Sequence, residues 1–462
     1  MARASIARIL TSTLIFSILF VRPSLSYEPA SAAPDAGSVE RASLSTSGEQ
    51  GDGDSLLPSL SADGRFLAFV SRASNLAGGD TNDSYDVFVH DLQTGATERV
   101  SVSSSDEEGD SDSEGQPSIS ADGRFVAFSS EASNLVGGDT NGREDVFVHD
   151  RETGVTERVS VSSSGVQGDD ASRSASISAD GRLLAFLSFA TNLVGGDTNG
   201  LADIFVHDRE TGVTERVSVS SSGEQANLSS DYPFISGNGR FVAFSSYASN
   251  LVSGDTNDTA DIFVHDRETG VTERVSVSSL GEQGNGLSLE TSISADGRFV
   301  AFVSHATNLI GRDSNDAADI FVHDRQTGVT RRVSVSSTGR QANRPSSGPF
   351  ISADGRFVGF YSLASNLVTG DNNGDQDSFV HDRLTGVTER VSVSSSGEQG
   401  NDLSGAISIS AGGRFVAFES EATNLVGGDT NAALDIFIHD RCPDGTCAFG
   451  AGISVFLPLT VH

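Results

Sequence analysis

Short apolar runs broken by polar turns organise this chain, and no run carries helical spacing. The stretch from Pro117 to Val161 shows the pattern in full. Pro117-Ser118-Ile119-Ser120 is a short extended run closed by Ala121-Asp122-Gly123-Arg124, in which Asp-Gly supplies the left-handed position a tight hairpin needs. Phe125-Val126-Ala127-Phe128 follows as a second strand with two apolar faces, so a neighbour must cover each side. Asp145-Val146-Phe147-Val148-His149 reads as a third strand, and Arg151-Glu152-Thr153-Gly154 turns the chain into Val155 to Val161. That last run alternates apolar and polar residues, which suits a partly exposed outer edge.

The unit recurs. The turn Ser61-Ala62-Asp63-Gly64-Arg65-Phe66 returns at Ser120, Ser178, Ser236, Ser294, Ser352 and Ser410, so the first step is 59 residues and the other five are 58. Seven strand-only copies of this period predict an all-β fold, a seven-bladed β-propeller of four-stranded blades. The seventh copy departs from the pattern after Asp435-Ile436-Phe437-Ile438-His439, where its fourth strand is due. Val39-Glu40-Arg41-Ala42-Ser43-Leu44, running on to Gln50, matches the missing strand and its following loop. The N-terminal strand is therefore expected to complete the last blade and close the ring, leaving no large open edge.

The elements Ser-x-Ser-Ala-Asp-Gly-Arg-Phe-Val-Ala-Phe and Asp-Ile-Phe-Val-His-Asp-Arg-x-Thr-Gly resemble the TolB-type, WD-like propeller repeat of bacterial exported proteins, over about residues 39–447. The resemblance implies the fold and brings no catalytic residues with it. TolB itself has six blades and an extra N-terminal domain, for which this chain has no room, so a translocation role is not carried over.

Outside the repeat, Met1 to about Ala32 reads as an export signal. Arg3 and Arg8 precede the apolar run Ile9 to Val21, and Ala30-Ser31-Ala32 offers small residues for cleavage. The alternative, a membrane anchor, needs a longer span than this run provides before Arg22-Pro23. The expected organisation is a signal peptide at 1–32, a linker at 33–38, the propeller at 39–447 and a tail at 448–462. The address is then secreted, periplasmic or cell-surface, with no membrane span after signal removal. Cys442 and Cys447, the only cysteines, bracket Pro443-Asp444-Gly445-Thr446. In an exported protein they are expected to form a disulfide, the alternative being two free thiols.

The formal net charge is −33, and all 30 basic residues are arginine. That balance argues against nucleic acid and anionic membranes as partners and leaves cations and basic partners open. A cation has a candidate site in every copy, because the long loop after the second strand carries Asp-x-Asn-x-x-x-Asp. The residues are Asp80, Asn82 and Asp86; Asp139, Asn141 and Asp145; Asp197, Asn199 and Asp203; Asp255, Asn257 and Asp261; Asp313, Asn315 and Asp319; Asp371, Asn373 and Asp377; and Asp429, Asn431 and Asp435. Oxygen side chains at alternate loop positions converge readily on calcium, although the glycine and distal glutamate of an EF-hand are missing. The alternative is that the same side chains cap their own loops in Asx-turns.

Each copy also carries a His-Asp pair, at His90, His149, His207, His265, His323, His381 and His439. Seven equivalent copies beside a tight hairpin read as a strand-end contact rather than a catalytic dyad. A unique site must come from departures from the repeat. These are the acidic loop Asp106 to Glu114, which holds the extra residue, and Tyr232, Tyr247, His305, Arg312, Arg340, Arg344 and Tyr361. The two long connections of each copy are expected on one face of the ring, where binding is expected too.

Together these features predict an exported, monomeric, non-catalytic propeller that binds a protein, peptide or surface polymer through its long-loop face, with calcium as the candidate cofactor. The rival is a propeller-type glycan hydrolase or lyase using carboxylates at the channel mouth. A purely structural spacer or adhesin module is a third reading.

Overall fold

The structure, a computed structural model, describes residues 37–442. The proposed signal peptide, the C-terminal tail and Cys447 lie outside the described residues, whereas Cys442 is buried.

Seven antiparallel four-stranded sheets follow one another around a ring, forming a seven-bladed propeller. Six are built from consecutive strands, for example Ser172–Ile177, Leu183–Ser188, Asp203–Asp208 and Val213–Arg216. In the seventh, Ser38–Arg41 pairs antiparallel with Asp435–Asp440, placing Val39 opposite His439 and Arg41 opposite Phe437. The N-terminal strand thus closes the ring, as expected.

The core lies between blades rather than within one. Ala68, Val70, Val87 and Val89 of the first blade pack on Val126, Phe128, Ala132 and Phe147 of the second. Within the second blade Phe128 and Phe147 stack at 5.9 Å. The two-faced apolar second strand is what permits this, since each face meets a different sheet.

The hairpin turns lock neighbouring blades together. Asp122 Oδ1 accepts from Ser120 Oγ and from the Arg124 amide, and Gly123 sits at φ 75°. A Cβ on Gly123 would lie 2.2 Å from Cδ2 of Phe66, so the glycine gives the preceding blade's ring room to approach. Gly64 meets Phe415 in the same way across the ring closure.

Two local departures from expectation have physical causes. The outer strand of the second blade ends at Arg158, and Val161 forms only an isolated bridge to Gln167 across a tight loop. The inner strands in all six other blades run to six residues around a bulge, such as that between Arg173 and Ser176. In the second blade only Ser118–Ile119 pairs, immediately after the acidic loop with its extra residue.

Candidate functional site

Three polar constellations stand out, and the repeated Asp-Asn-Asp loop supplies the first. In the second blade Asp145 is fully buried. Its Oδ1 accepts from Ser160 Oγ at 2.6 Å, and its Oδ2 accepts from Gln167 Nε2 at 2.8 Å and Arg158 Nη1 at 3.1 Å. The same Gln167 amide donates to Asp139 Oδ1 at 2.8 Å. Asn141 Oδ1 accepts from the Arg143 amide, an Asx-turn, and its Nδ2 donates to the Gly168 carbonyl. Hence the two aspartates converge as a cation site requires, but the positive end is an arginine and a glutamine from the outer strand and second long loop. That bond also places the two long loops on one face.

The arrangement repeats with Gln225 on Asp197 and Asp203, Gln283 on Asp255 and Asp261, Gln341 on Asp313 and Asp319, and Gln399 on Asp371 and Asp377. In the last blade Gln50 and Arg41 arrive from the N-terminal segment to hold Asp429 and Asp435. Asn199, Asn257, Asn315, Asn373 and Asn431 keep the role of Asn141. Sequence reasoning missed the Arg and Gln partners, although the arginine recurs at constant spacing in every copy and the glutamine in every copy but one.

The exception is the first blade, where Glu108 takes the glutamine's place. Carboxylate oxygens of Asp80, Asp86 and Glu108 lie within 4.8 Å of one another. Asn82 still caps its turn through the Ser84 amide. Arg99 pairs with all three carboxylates, contacting Asp86 Oδ2 at 3.4 Å, yet that buried oxygen has no hydrogen-bond donor. Burial pushes the Asp86 carboxyl up to about 6.

The histidines form the second constellation. His149 Nδ1 lies 2.9 Å from Thr156 Oγ1, and that hydroxyl donates to the Val102 carbonyl of the preceding blade. With the hydroxyl proton so used, the ring N–H must donate to the threonine. Asp150 turns away to a bidentate contact with Arg124, at 2.8 and 2.7 Å. His439, opposite Val39 rather than a threonine, donates to the Val391 carbonyl. Burial lowers the histidine pKa values, as at His381, brought to about 4. These pairs tie blades together and form no dyad.

The third constellation lines a central cavity of about 500 Å³. The inner-strand bulges hold Leu57, Ser174, Tyr232, Glu290 and Gly348 at φ values of 56°, 58°, 51°, 50° and 63°. All five line the cavity, as does Tyr361. A Cβ on Gly348 would lie 2.3 Å from Tyr361 Cε1, so this glycine makes room for the ring. Burial, with Glu290 and Glu419 nearby, pushes the Tyr361 phenol up to about 12. Glu290 accepts from the Gly348 amide at 2.8 Å, and Glu419 from the amides of Leu57 at 3.0 Å and Ala406 at 3.1 Å. Phe234 and Phe350 meet edge to face at 5.8 Å. Tyr232 and Tyr361 therefore come together at one site, whereas Tyr247, His305, Arg312, Arg340 and Arg344 do not line it.

No protein-family profile and no curated protein matches the chain. Among solved structures, oligogalacturonate lyase from Vibrio parahaemolyticus is similar at 14% identity, with 88% of this chain and 97% of that one covered and a TM-score of 0.51. The β-propeller domain of the Trilobed protease from Pyrococcus furiosus matches at 14% identity, 84% and 93% coverage and a TM-score of 0.51. TolB from Acinetobacter baumannii aligns at 19% identity over 60% of this chain, which spans 53% of that protein, with a TM-score of 0.37. At such identities likeness speaks for the fold alone, and the fold is a β-propeller.

Proposed function

We propose that this chain is an exported, non-catalytic binding propeller whose ligand, a peptide or polymer segment, enters the central cavity from the long-loop face. One observation carries the reading. At the bulge position the seven copies carry Leu57, Gln116, Ser174, Tyr232, Glu290, Gly348 and Ala406, seven different residues, while the buried loop aspartate is the same in all of them. Divergence at one spatial position in otherwise near-identical blades is what an asymmetric ligand would require. The lining includes no Arg, Lys or His, and its aromatic rings with Glu290 favour an uncharged or cationic segment over a polyanion.

The rival reading, a glycan lyase or hydrolase, draws on the likeness to oligogalacturonate lyase. The cavity lining offers no basic group to hold an anionic sugar, and Glu290, its one carboxylate, accepts from the Gly348 amide, as Glu419 nearby accepts from the amides of Leu57 and Ala406. The test is a peptide array and a glycan array probed with wild type, Tyr232→Ala and Tyr361→Ala. Hits lost in both variants support the cavity as the site. Hits unchanged in both, or turnover of any arrayed glycan, overturn the proposal.

Calcium enters as a second, narrower element. Six blades answer their aspartates with Arg and Gln, so the cation reading rests on Asp80, Asp86 and Glu108. Calorimetric titration of chelator-treated protein is expected to show one equivalent of calcium rather than seven, with none bound by Glu108→Gln. At 100 times the dissociation constant the ion would add about 2.7 kcal/mol of stability.

A further inference from the structure

Adjacent blades share a repeated ion pair near the hairpin face. The arginine that follows the third strand reaches back to a glutamate on the previous blade's outer strand: Arg151 to Glu98 at 2.5 Å, Arg267 to Glu215 at 2.6 Å and Arg325 to Glu273 at 2.5 Å, with Arg209–Glu157 and Arg441–Glu389 equivalent. Each of these arginines also donates to the carbonyl of a hairpin glycine, as Arg267 does to Gly239. Between the fifth and sixth blades the glutamate is replaced. Thr330-Arg331-Arg332 stands where the other copies read Thr-Glu-Arg, so Arg383 faces Arg331 across the cleft where its counterparts meet a glutamate.

Arg383 keeps the position of its counterparts. Its Nη1 donates to the Gly355 carbonyl, and its guanidinium lies 4.2 Å from the Phe299 ring centroid. What it lacks is the anion. Burial, with Arg331 and Arg298 beside it, brings its pKa down to about 10 despite nearby Asp324 and Asp354, so it remains charged at neutral pH. Asp324 is committed to Arg298 in a bidentate contact. Arg332 is likewise turned to Asp319.

This junction opens into a cleft of about 650 Å³ lined by Arg331, Arg383, Thr327, Ser336, Ser337 and Gly339. The next residue, Arg340, replaces the glutamate found in five of the other copies, at Glu49, Glu107, Glu224, Glu282 and Glu398. We infer that the cleft between the fifth and sixth blades is an oxyanion site, in which Arg331 and Arg383 hold a free phosphate or sulfate in place of the carboxylate missing from this junction. Paired guanidinium forks match tetrahedral oxyanions, and stacking Arg383 on Phe299 fixes its plane in advance. Asp324, which also lines the cleft, is neutralised by its bidentate contact with Arg298, and acidic groups beyond about 8–10 Å are screened at physiological salt. This site lies apart from the central cavity and does not depend on the reading given to it.

The experiment is calorimetric titration of the mature protein with inorganic phosphate and with inorganic sulfate, against chloride at matched ionic strength, with melting followed in parallel. Wild type is expected to bind one equivalent and to melt higher with either oxyanion. Arg331→Glu restores the ion pair present at five other junctions; it is expected to fold, to melt above wild type without added anion, and to bind at least about tenfold more weakly. Arg331→Gln, which removes the charge without supplying a carboxylate, is expected to weaken binding without that rise in melting temperature. No saturable heat or shift beyond chloride for wild type, or binding by Arg331→Glu as tight as wild type, overturns the inference.

Discussion

Replacing Glu108 by glutamine is expected to stabilise the metal-free protein. In the second blade the glutamine at this position splits its roles: Oε1 accepts from the Thr140 amide and hydroxyl, while Nε2 donates to Asp139 and Asp145. Glu108 keeps the first role toward Thr81 and cannot perform the second. Asp86 is left fully buried and short of a donor, and its carboxyl rises from 3.8 to about 6. A rise of about 2 units corresponds to about 3 kcal/mol of lost stability at neutral pH. Because the folded pKa is raised, the folded chain takes up a proton as pH falls through 6, and the penalty is relieved by about pH 4. Glutamine restores two donors worth ~1.5–3 kcal/mol each to charged acceptors, offset by loss of the Arg99–Glu108 pair. The net expectation is a gain of about 2 kcal/mol at pH 7, or about 2 °C in Tm for a chain of this size, shrinking toward zero at pH 4. Urea denaturation of both proteins in chelator at pH 4, 5.5 and 7 measures it. A variant less stable than wild type at pH 7, or a difference that ignores pH, refutes the reasoning.

Three further outcomes follow from the same geometry. Asp145→Ala, which leaves Arg158 and Gln167 facing an uncompensated buried space, is expected to cost about 3–5 kcal/mol in denaturant titrations. Gly123→Ala must both hold φ at 75° and push a Cβ against Phe66, whereas Gly154→Ala carries only the strain of φ 71°, with nothing within 4 Å. The second is expected to cost about 1 kcal/mol and the first at least twice that, a ranking that thermal melts of the pair resolve. Deleting residues 37–44 should expose the edge of the strand Asp435–Asp440 and strip Arg41 from Asp429 and Asp435. Size-exclusion chromatography is expected to show higher oligomers and a lower Tm; a monomer that melts like wild type would mean closure adds nothing.

Much of the fold was legible because its determinants are local and repeated. Asp122-Gly123 announces its turn, the two-faced apolar strand Phe125 to Phe128 demands a neighbour on each side, and Val39 to Gln50 matches the strand absent after His439. Seven registrations of one pattern leave little freedom in blade number or closure. The strain at the bulges was not legible, since Tyr232 and Glu290 take positive φ at register shifts between paired strands, where no turn residue marks the position.

The chemistry of the polar groups was decided in three dimensions. The order of residues shows that Asp139, Asn141 and Asp145 share a loop; it does not show that Arg158 and Gln167 fill the space where those oxygens converge. Whether a carboxylate meets a cation, an arginine or another carboxylate depends on which strand lies across from it, and here that strand belongs to a different part of the unit. Glu108 and Arg331 are single-residue departures in two of seven copies, and only the contacts across the loops and between the blades turn each into an unbalanced charge. Periodicity in the chain is thus sufficient for the ring, because hydrophobic burial and turn geometry act over neighbouring residues. Charge pairing acts across the gaps between strands and blades, so the places where this protein departs from its own symmetry emerged only when the ring was closed.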